Sequence, residues 1–292
     1  MGMKVLLLGK KDDPKFLQKR ELFKKVWADL DIEVLHKASS DMDLCVALGG
    51  DGSLLAAIRN LRDFRYTTPV LGLHMSAGLG FLHSLTYPQE DAKAADFIKD
   101  VGSLIQNKDY YLHKRWGISA LCKPQEDQEA PLEFWATNDI VISKGHISRV
   151  LALDVYVDGN LILSNLKGDG LIVSTATGST GYSMSAGGPV LDPSLNALVI
   201  TPVCPHRLSQ RPFVINSDAK IEIVLKPGRT SAFLTADGQS GIEFAMGDRV
   251  SLKTANKSVQ WVIPNNLGSK YPHLNVKNYF ESLRTKLGFG GD

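Results

Sequence analysis

Gly49-Gly50-Asp51-Gly52 sets three glycines around one carboxylate, after an apolar run (Leu44 to Leu48) and before a helical pattern from Ser53 through Leu61. Glycine lets a backbone approach a ligand closely, and N–H groups opening onto a helix N-terminus form a cradle for phosphate. Gly49, Gly50, Gly52 and Ser53 supply such a loop. Asp51 repels phosphate, so its presence there points to different chemistry, either accepting a proton or holding a metal ion. A tight strand-to-helix turn with Asp as the helix cap uses the same residues.

A second constellation lies downstream. Residues 168–188 are dense in Gly, Ser and Thr and contain Tyr182. Small hydroxyl residues and bare backbone offer hydrogen bonds at short range, and a tyrosine ring offers a face for stacking. A Gly/Ser-rich surface loop is the simpler alternative. Thr137-Asn138-Asp139 interrupts an apolar run. An amide carries donor and acceptor edges that suit a nucleobase, and a carboxylate can take two ribose hydroxyls, though Asn-Asp is also a common turn.

These residues need elements to carry them. Val5 to Gly9, Ile32 to Leu35, Leu44 to Leu48 and Val70 to His74 read as strands. They alternate with helices at Pro14 to Leu30, Ser53 to Leu61 and Gln89 to Val101, and such alternation implies crossovers and a parallel sheet. Ligands sit beyond the carboxyl ends of such strands, where Gly49–Gly52 falls. From about Tyr110 the period changes to many short strands, with Asp158-Gly159-Asn160 as a hairpin turn, and Asn275 to Leu287 reads as a closing helix. The expectation is an α/β N-terminal domain with a parallel sheet, plus an all-β, sandwich-like C-terminal domain closed by a C-terminal helix. Boundaries are expected at 1–108 for a phosphate-donor domain, with a helix at 275–292 as a candidate to pack back on it. Residues 109–274 would then form a β-rich domain carrying the second constellation.

Composition excludes several classes. The 33 Lys and Arg nearly balance the 31 Asp and Glu, so no broad basic field is present for nucleic acid. The basic residues near the N-terminus (Lys10 to Lys25) interleave with Phe16, Leu17, Leu22 and Phe23 as the wet face of an amphipathic helix. Cys45, Cys122 and Cys204 are far apart and odd in number, which argues against a disulfide framework. No signal-peptide pattern opens the chain, and no apolar run approaches the ~20 residues of a membrane span. A cytoplasmic protein is expected.

Together the motifs resemble NAD kinases, from about Lys4 to Gly288. Gly49 to Gly52 is similar to that family's phosphate-binding motif, and Asn138-Asp139 falls where the family carries Asn-Glu. Gly168 to Gly188 resembles its long glycine-rich motif, with Thr180-Gly181-Tyr182-Ser183 matching a usual Thr-Ala-Tyr-Ser. Thr201 to Pro212 and Asp237-Gly238-Gln239 also match. Diacylglycerol kinases and phosphofructokinases share the first motif, whereas the 168–188 motif is far more specific. Three departures stand out: Asp139 for Glu, Gly181 for Ala, and Ala77-Gly78 for the Gly-Asn before Leu-Gly-Phe-Leu.

The resemblance implies transfer of the γ-phosphoryl of ATP to the 2′-hydroxyl of the adenosine ribose of NAD, giving NADP, with Mg²⁺ accompanying ATP and no protein metal ligand named. It implies Asp51 as the general base. The NAD site would draw on Asp51, Gly52, Asn138, Asp139 and Arg149, then on Thr180, Gly181, Tyr182, Ser183, Met184 and Ser185, with Gln239 beside them. Lys167 and Asp169 fall on positions that approach the nicotinamide end from a neighbouring subunit, in a dimer or tetramer. Two alternatives remain at this point: a non-catalytic dinucleotide sensor, which would have no use for Asp51, and a kinase of a lipid or sugar phosphate, which would need a different acceptor pocket.

Overall fold

The structure is a computed structural model and describes residues 2–61, 68–75, 80–123, 130–145, 150–226, 232–245, 247–265, 270–274 and 279–288. Arg149, Ala77-Gly78 and residues 124–129, most of the Lys123 to Ala130 stretch expected as a polar surface loop, lie outside the described residues. The chain divides into two compact units: Met1–Lys114 with Ser258–Asp292, and Arg115–Lys257.

The first unit is α/β. Its strands are β1 (Met3–Leu8), β2 (Ile32–Leu35), β3 (Leu44–Gly49), β4 (Val70–His74) and β5 (Leu85–Thr86), and its first three helices are α1 (Pro14–Ala28), α2 (Asp51–Asn60) and α3 (Asp91–Gln106). β1 pairs in parallel with β2 and β3, β3 with β4, and β4 with β5. β3 is buried along nearly its whole length, as a strand covered on both faces must be. That is why Leu44–Leu48 reads as a continuous apolar run. Asp13 caps α1 by accepting from Lys15 N–H at 2.9 Å. Trp27 of α1 donates its indole N–H to the Ile98 carbonyl of α3 at 2.9 Å and meets Phe23 edge-on at 4.8 Å, locking both helices over the sheet. α5 (Tyr279–Leu287) is the C-terminal helix; the four residues before it, expected to be helical, lie outside the described residues.

The second unit is an antiparallel β sandwich. Here the strands are β6 (Tyr110–Lys123), β7 (Leu132–Ala136), β8 (Asp139–Lys144), β9 (Leu151–Val157), β10 (Asn160–Gly168) and β11 (Gly170–Thr175). They continue with β12 (Ala197–Val203), β13 (Phe213–Asn216), β14 (Ile221–Leu225), β15 (Ala232–Ala236), β16 (Ser240–Phe244) and β17 (Arg249–Pro264). One sheet runs β13-β12-β11-β8-β15-β16, and in the other β9 lies between β10 and β14, which pairs with β17. The inner faces enclose a single apolar cluster that includes Ile142, Leu153, Val173, Ile200, Ile223 and Leu234. The Asp158-Gly159 turn has both residues at positive φ (49° and 80°), the geometry of a two-residue hairpin. The chain passes between the units within β6 and β17.

Three short strands, β5, β13 and β16, carry too little alternation to be read from sequence. β13 and β16 are the outer strands of their sheet, where one unpaired edge relaxes the demand for apolar residues. Conversely, Val250–Leu252 and Val259–Ile263 join into one long β17. Thr254 in the polar stretch between them donates to the Ser217 carbonyl at 2.6 Å and Ala255 is buried, so pairing overrides local composition. Among the described residues no helix is long and apolar enough to cross a membrane.

Candidate active site

In the first unit the phosphate-loop motif is the turn from β3 into α2. Gly49 takes φ +147°, and a Cβ there would lie 2.3 Å from Ser53 Oγ, so only glycine fits. Gly50 is the N-cap and Asp51 the first residue of the helix, two residues earlier than the helical pattern suggests. Ser53 N–H donates to Gly50 carbonyl at 2.9 Å, closing the first turn. A carboxylate at a helix N-terminus is favoured by the helix dipole.

Asp51 is also held from outside the helix. Phe81 N–H donates to Oδ2 at 3.1 Å, Leu82 N–H to Oδ1 at 3.3 Å, and the His83 imidazole Nδ1–H to Oδ1 at 2.9 Å. The Leu82 carbonyl in turn accepts from the Trp261 indole at 3.0 Å, which pins the segment to β17. Gly80 leaves room for this approach: a Cβ there would fall 2.4 Å from Asp51 Oδ1 and 2.5 Å from His83 Nδ1. Lys286 of α5 lies 4.0 Å above the Phe81 ring. Burial pushes the Asp51 carboxyl up, but the His83 hydrogen bond and charge, the Leu82 N–H and the Lys286 charge outweigh it and leave the carboxyl below its ordinary value.

The second unit builds its own cluster where β7 gives way to β8. Asp237, at positive φ (50°) in the β15–β16 turn, accepts from the backbone N–H groups of Thr137, Asn138 and Asp139 at 2.9, 2.7 and 3.3 Å. This clasp fixes the Asn138-Asp139 pair. The glycine-rich motif packs against it: Thr175 N–H donates to Asn138 carbonyl at 2.8 Å and Thr175 Oγ1 to Thr137 carbonyl at 2.8 Å. Gly181 lies beside both side chains, since a methyl there would sit 3.7 Å from Asn138 Nδ2 and 3.8 Å from Asp139 Oδ2. The Thr137 Oγ1, Asn138 Oδ1 and Ser174 Oγ atoms are buried without a hydrogen-bond partner among the described residues. Burial, and then the charge of Asp237, push the Asp139 carboxyl up to about 7.

The remaining candidates fall in different surroundings. Thr180 is buried, Tyr182 opens a short helical turn with half its surface exposed, and Met184 and Ser185 are partly or fully exposed. Ser183 is fully buried and its Oγ hydrogen-bonds Thr201 Oγ1 at 2.9 Å, which braces the motif from below. Gln239 is exposed in the β15–β16 turn. Asp169 pairs with Lys144 at 2.6 Å, while Lys167 is exposed on β10. In the β8–β11 ladder Gly170 stands opposite Ser143 and Ser174 opposite Asp139. Asp169 lies one residue beyond Gly170, level with Lys144, so Asp169 and Asp139 lie toward opposite ends, separated by roughly 17 Å at about 3.4 Å per residue.

Comparison with known proteins shows the family that carries these two clusters. A profile of the ATP-NAD kinase N-terminal domain matches residues 7–101, and one of the ATP-NAD kinase C-terminal domain matches residues 137–263. The chain belongs to the ATP-NAD kinase family. It is an enzyme that phosphorylates NAD, with ATP as donor. The NAD kinase of Geotalea daltonii is 39% identical over 85% of this chain and 79% of that protein. That of Syntrophotalea carbinolica is 37% identical over 92% and 87%, respectively. Among solved structures, yeast NADH kinase complexed with NADH superposes with a TM-score of 0.80 at 22% identity, covering all of this chain and 89% of that one. An NAD kinase from Archaeoglobus fulgidus in complex with ATP gives 0.71 at 24%, covering 97% and 99%. At these identities the two structures speak for the fold, which is that of NAD kinases.

Within this NAD kinase fold, sequence reasoning missed His83 and Lys286 as neighbours of Asp51, and Asp237 as the clasp of Asn138-Asp139. His83 stands 32 residues from Asp51, and nothing in local periodicity links them. Asp237 was visible within a matched motif, but a positive-φ turn residue gives no hint of its partners.

Asp139 supplies a test of the second cluster. In the folded chain its carboxyl keeps a proton up to about 7, against an ordinary value of 3.8. Between those values the folded state binds more protons than the unfolded one, so stability of the ligand-free protein falls as pH rises through that window. Asp139→Asn cannot ionise and is expected to flatten this fall, read from the Tm at a series of pH values. An unchanged slope would place the burden elsewhere.

Proposed function

We propose that Asp51 is the general base of NAD phosphorylation, taking the proton of the adenosine-ribose 2′-hydroxyl as the γ-phosphoryl of ATP transfers to that oxygen. The observation that carries this reading is the occupancy of the carboxylate. An ionised carboxylate has about four acceptor sites. Three are used, two on Oδ1 and one on Oδ2, which leaves capacity on Oδ2 for one incoming hydroxyl. A carboxylate held below its ordinary value stays ionised and ready, and a positioned base is worth ~10²–10⁴ in rate. The rest of phosphoryl transfer is alignment and charge neutralisation, supplied by the α2 N-terminus with Gly49, Gly50, Gly52 and Ser53, by Lys286, and by Mg²⁺. That ion is read as part of the MgATP substrate, because Mg²⁺ keeps most of its water and phosphate ligands.

Asn138 and Asp139 are assigned to the adenosine of NAD. The buried, unpartnered Asn138 Oδ1 is an acceptor in need of a donor, which an adenine amino group provides. Asp139 suits a ribose diol, and two hydroxyl donors favour its ionised form. Gly181 and Tyr182 lie next in the motif, the one giving room and the other a flat face. On this reading the N-terminal α/β region handles donor phosphates, and the β-rich region handles NAD and subunit pairing. Free Cys45, Cys122 and Cys204 suit a reducing, cytoplasmic setting.

Lys167 and Asp169 are assigned to the nicotinamide end of NAD bound by a neighbouring subunit of a dimer or tetramer. The separation of Asp169 from Asp139 along the β8–β11 ladder supports different ends of the ligand, and the exposed Lys167 and half-exposed Asp169 are within reach of a partner.

Three outcomes check these assignments. Asp51→Asn lowers kcat by ~10²–10⁴ with NAD binding largely kept; near wild-type turnover would sink the base. Asn138→Ala weakens NAD by ~1–3 kcal/mol, the cost of a lost partner in a dry site, with ATP affinity little changed in calorimetric titration. Equal losses for both ligands would put Asn138 on the wrong substrate. Asp169→Ala chains and Asp51→Asn chains, each nearly inactive alone, regain NADP formation when co-expressed as mixed oligomers. A monomer by light scattering at assay concentration, or no recovery in verified mixed oligomers, refutes the shared site.

A further inference from the structure

We propose that His83 is a positioning residue for Asp51: its imidazole Nδ1–H holds Oδ1, so that Oδ2 is the oxygen left to meet the substrate hydroxyl. This inference rests on the reading of Asp51 as the base and goes beyond it by naming what aims the base.

Four observations carry it. The His83 side chain is 1% exposed whereas that of Asp51 is 35% exposed, so the imidazole approaches the carboxylate from the protein side and leaves the outer side open. The Nδ1–Oδ1 distance is 2.9 Å, a good charge-assisted hydrogen bond. His83 Nε2 is buried with no hydrogen-bond partner among the described residues. A histidine kept only for packing gains nothing from that orphaned nitrogen, and an apolar residue would fill the space without it. Finally, Gly80 has no space for a Cβ between Asp51, His83 and His74, so the backbone is shaped to let the pair meet.

Three titratable side chains face Asp51 among the described residues. His83 touches it, His74 of β4 meets the His83 ring edge-on at 5.1 Å, and Lys286 of α5 adds a positive charge from the far side of Phe81. His83 donates a hydrogen bond to Oδ1 at 2.9 Å. Removing it leaves burial, which favours the protonated acid, less opposed. It also loosens the carboxylate, leaving Oδ1 to the longer Leu82 N–H bond and Oδ2 to the Phe81 N–H, so the aim of Oδ2 at the substrate is less well kept.

The test is the pH dependence of kcat at saturating NAD and ATP, where bound NAD holds Asp139 ionised and the limb reports the base, in three variants checked for native circular dichroism. His83→Leu fills the buried space without a donor, and its acidic limb moves to higher pH, with activity at the acid end falling about tenfold or more, the weight of one hydrogen bond to a charged group. His83→Asn, whose amide N–H can stand where Nδ1–H does, brings the limb back toward wild type. A purely structural role would lower activity evenly at all pH values and would not be rescued by Asn. A His83→Leu limb that stays in place, while Asp51→Asn is inactive, overturns the inference and leaves the base standing. Near wild-type turnover by Asp51→Asn removes the base itself, a result distinguishable from the first.

Discussion

A half-buried carboxylate in a glycine turn at the start of a helix stays ionised and aimed only if the protein holds it. Much of the first unit answers that constraint. The α2 N-terminus contributes its dipole, and residues 81–83 contribute three donors. Those donors are themselves placed by the parallel sheet. β3 ends at Gly49, the neighbouring β4 ends at His74, and β5, which begins two residues after His83, pairs in register with the end of β4. Strand ends that line up at one edge are a property of parallel sheets. The 80–83 segment is thereby brought to the residue that opens α2, and Trp261 fastens it through the Leu82 carbonyl.

The second unit meets the same problem with a different device. Asp237 is a half-buried carboxylate at the tip of a hairpin, and three successive backbone N–H groups close on it as a small anion-binding nest. The same clasp fixes the backbone of Asn138 and Asp139. Having given its N–H to Asp237, Asp139 is left with a buried carboxyl beside a negative charge, which is why it keeps its proton to about 7. Substrate hydroxyls would replace the solvent this group has lost. On the proposed assignment, binding of NAD and ionisation of Asp139 would favour each other, and the stability lost to a bare buried charge would be regained with the ligand present.

The parallel sheet, the sandwich and most strand positions were legible because both rest on local patterns: continuous apolar runs for strands buried on two faces, alternation for strands buried on one. The motif residues were legible because glycine beside a carboxylate, or an amide beside a carboxylate, is chemically conspicuous. What stayed hidden was long-range. The Asp51–His83 and Asn138–Asp237 contacts span 32 and 99 residues, and no spacing rule reaches that far. Helix α2 begins at Asp51 rather than Ser53 because glycines at its start suppress helical propensity while the turn geometry still admits them. β17 runs through a polar stretch because its neighbours pair with it. In each case tertiary contact outweighs the local signal.

Environment, then, rather than residue type decides what each aspartate can do. Asp51, Asp139 and Asp169 all sit in family motifs and are one and the same side chain. Asp51 accepts three hydrogen bonds and is held below the ordinary carboxylate range, which suits a base that must be ionised before the substrate arrives. Asp139 is buried with a like charge nearby and is pushed upward, which suits an acceptor completed by the hydroxyls it binds. Asp169 is half-exposed and paired with Lys144, a surface ion pair of little weight on its own that can exchange partners at small cost. The three roles proposed for them, a proton acceptor, a hydrogen-bond acceptor for recognition and an exchangeable charge for a neighbouring subunit, thus rest on one side chain in three settings. The backbone donors around Asp51, given by Phe81 and Leu82 and ordered by Gly80, separate the first of these from the other two.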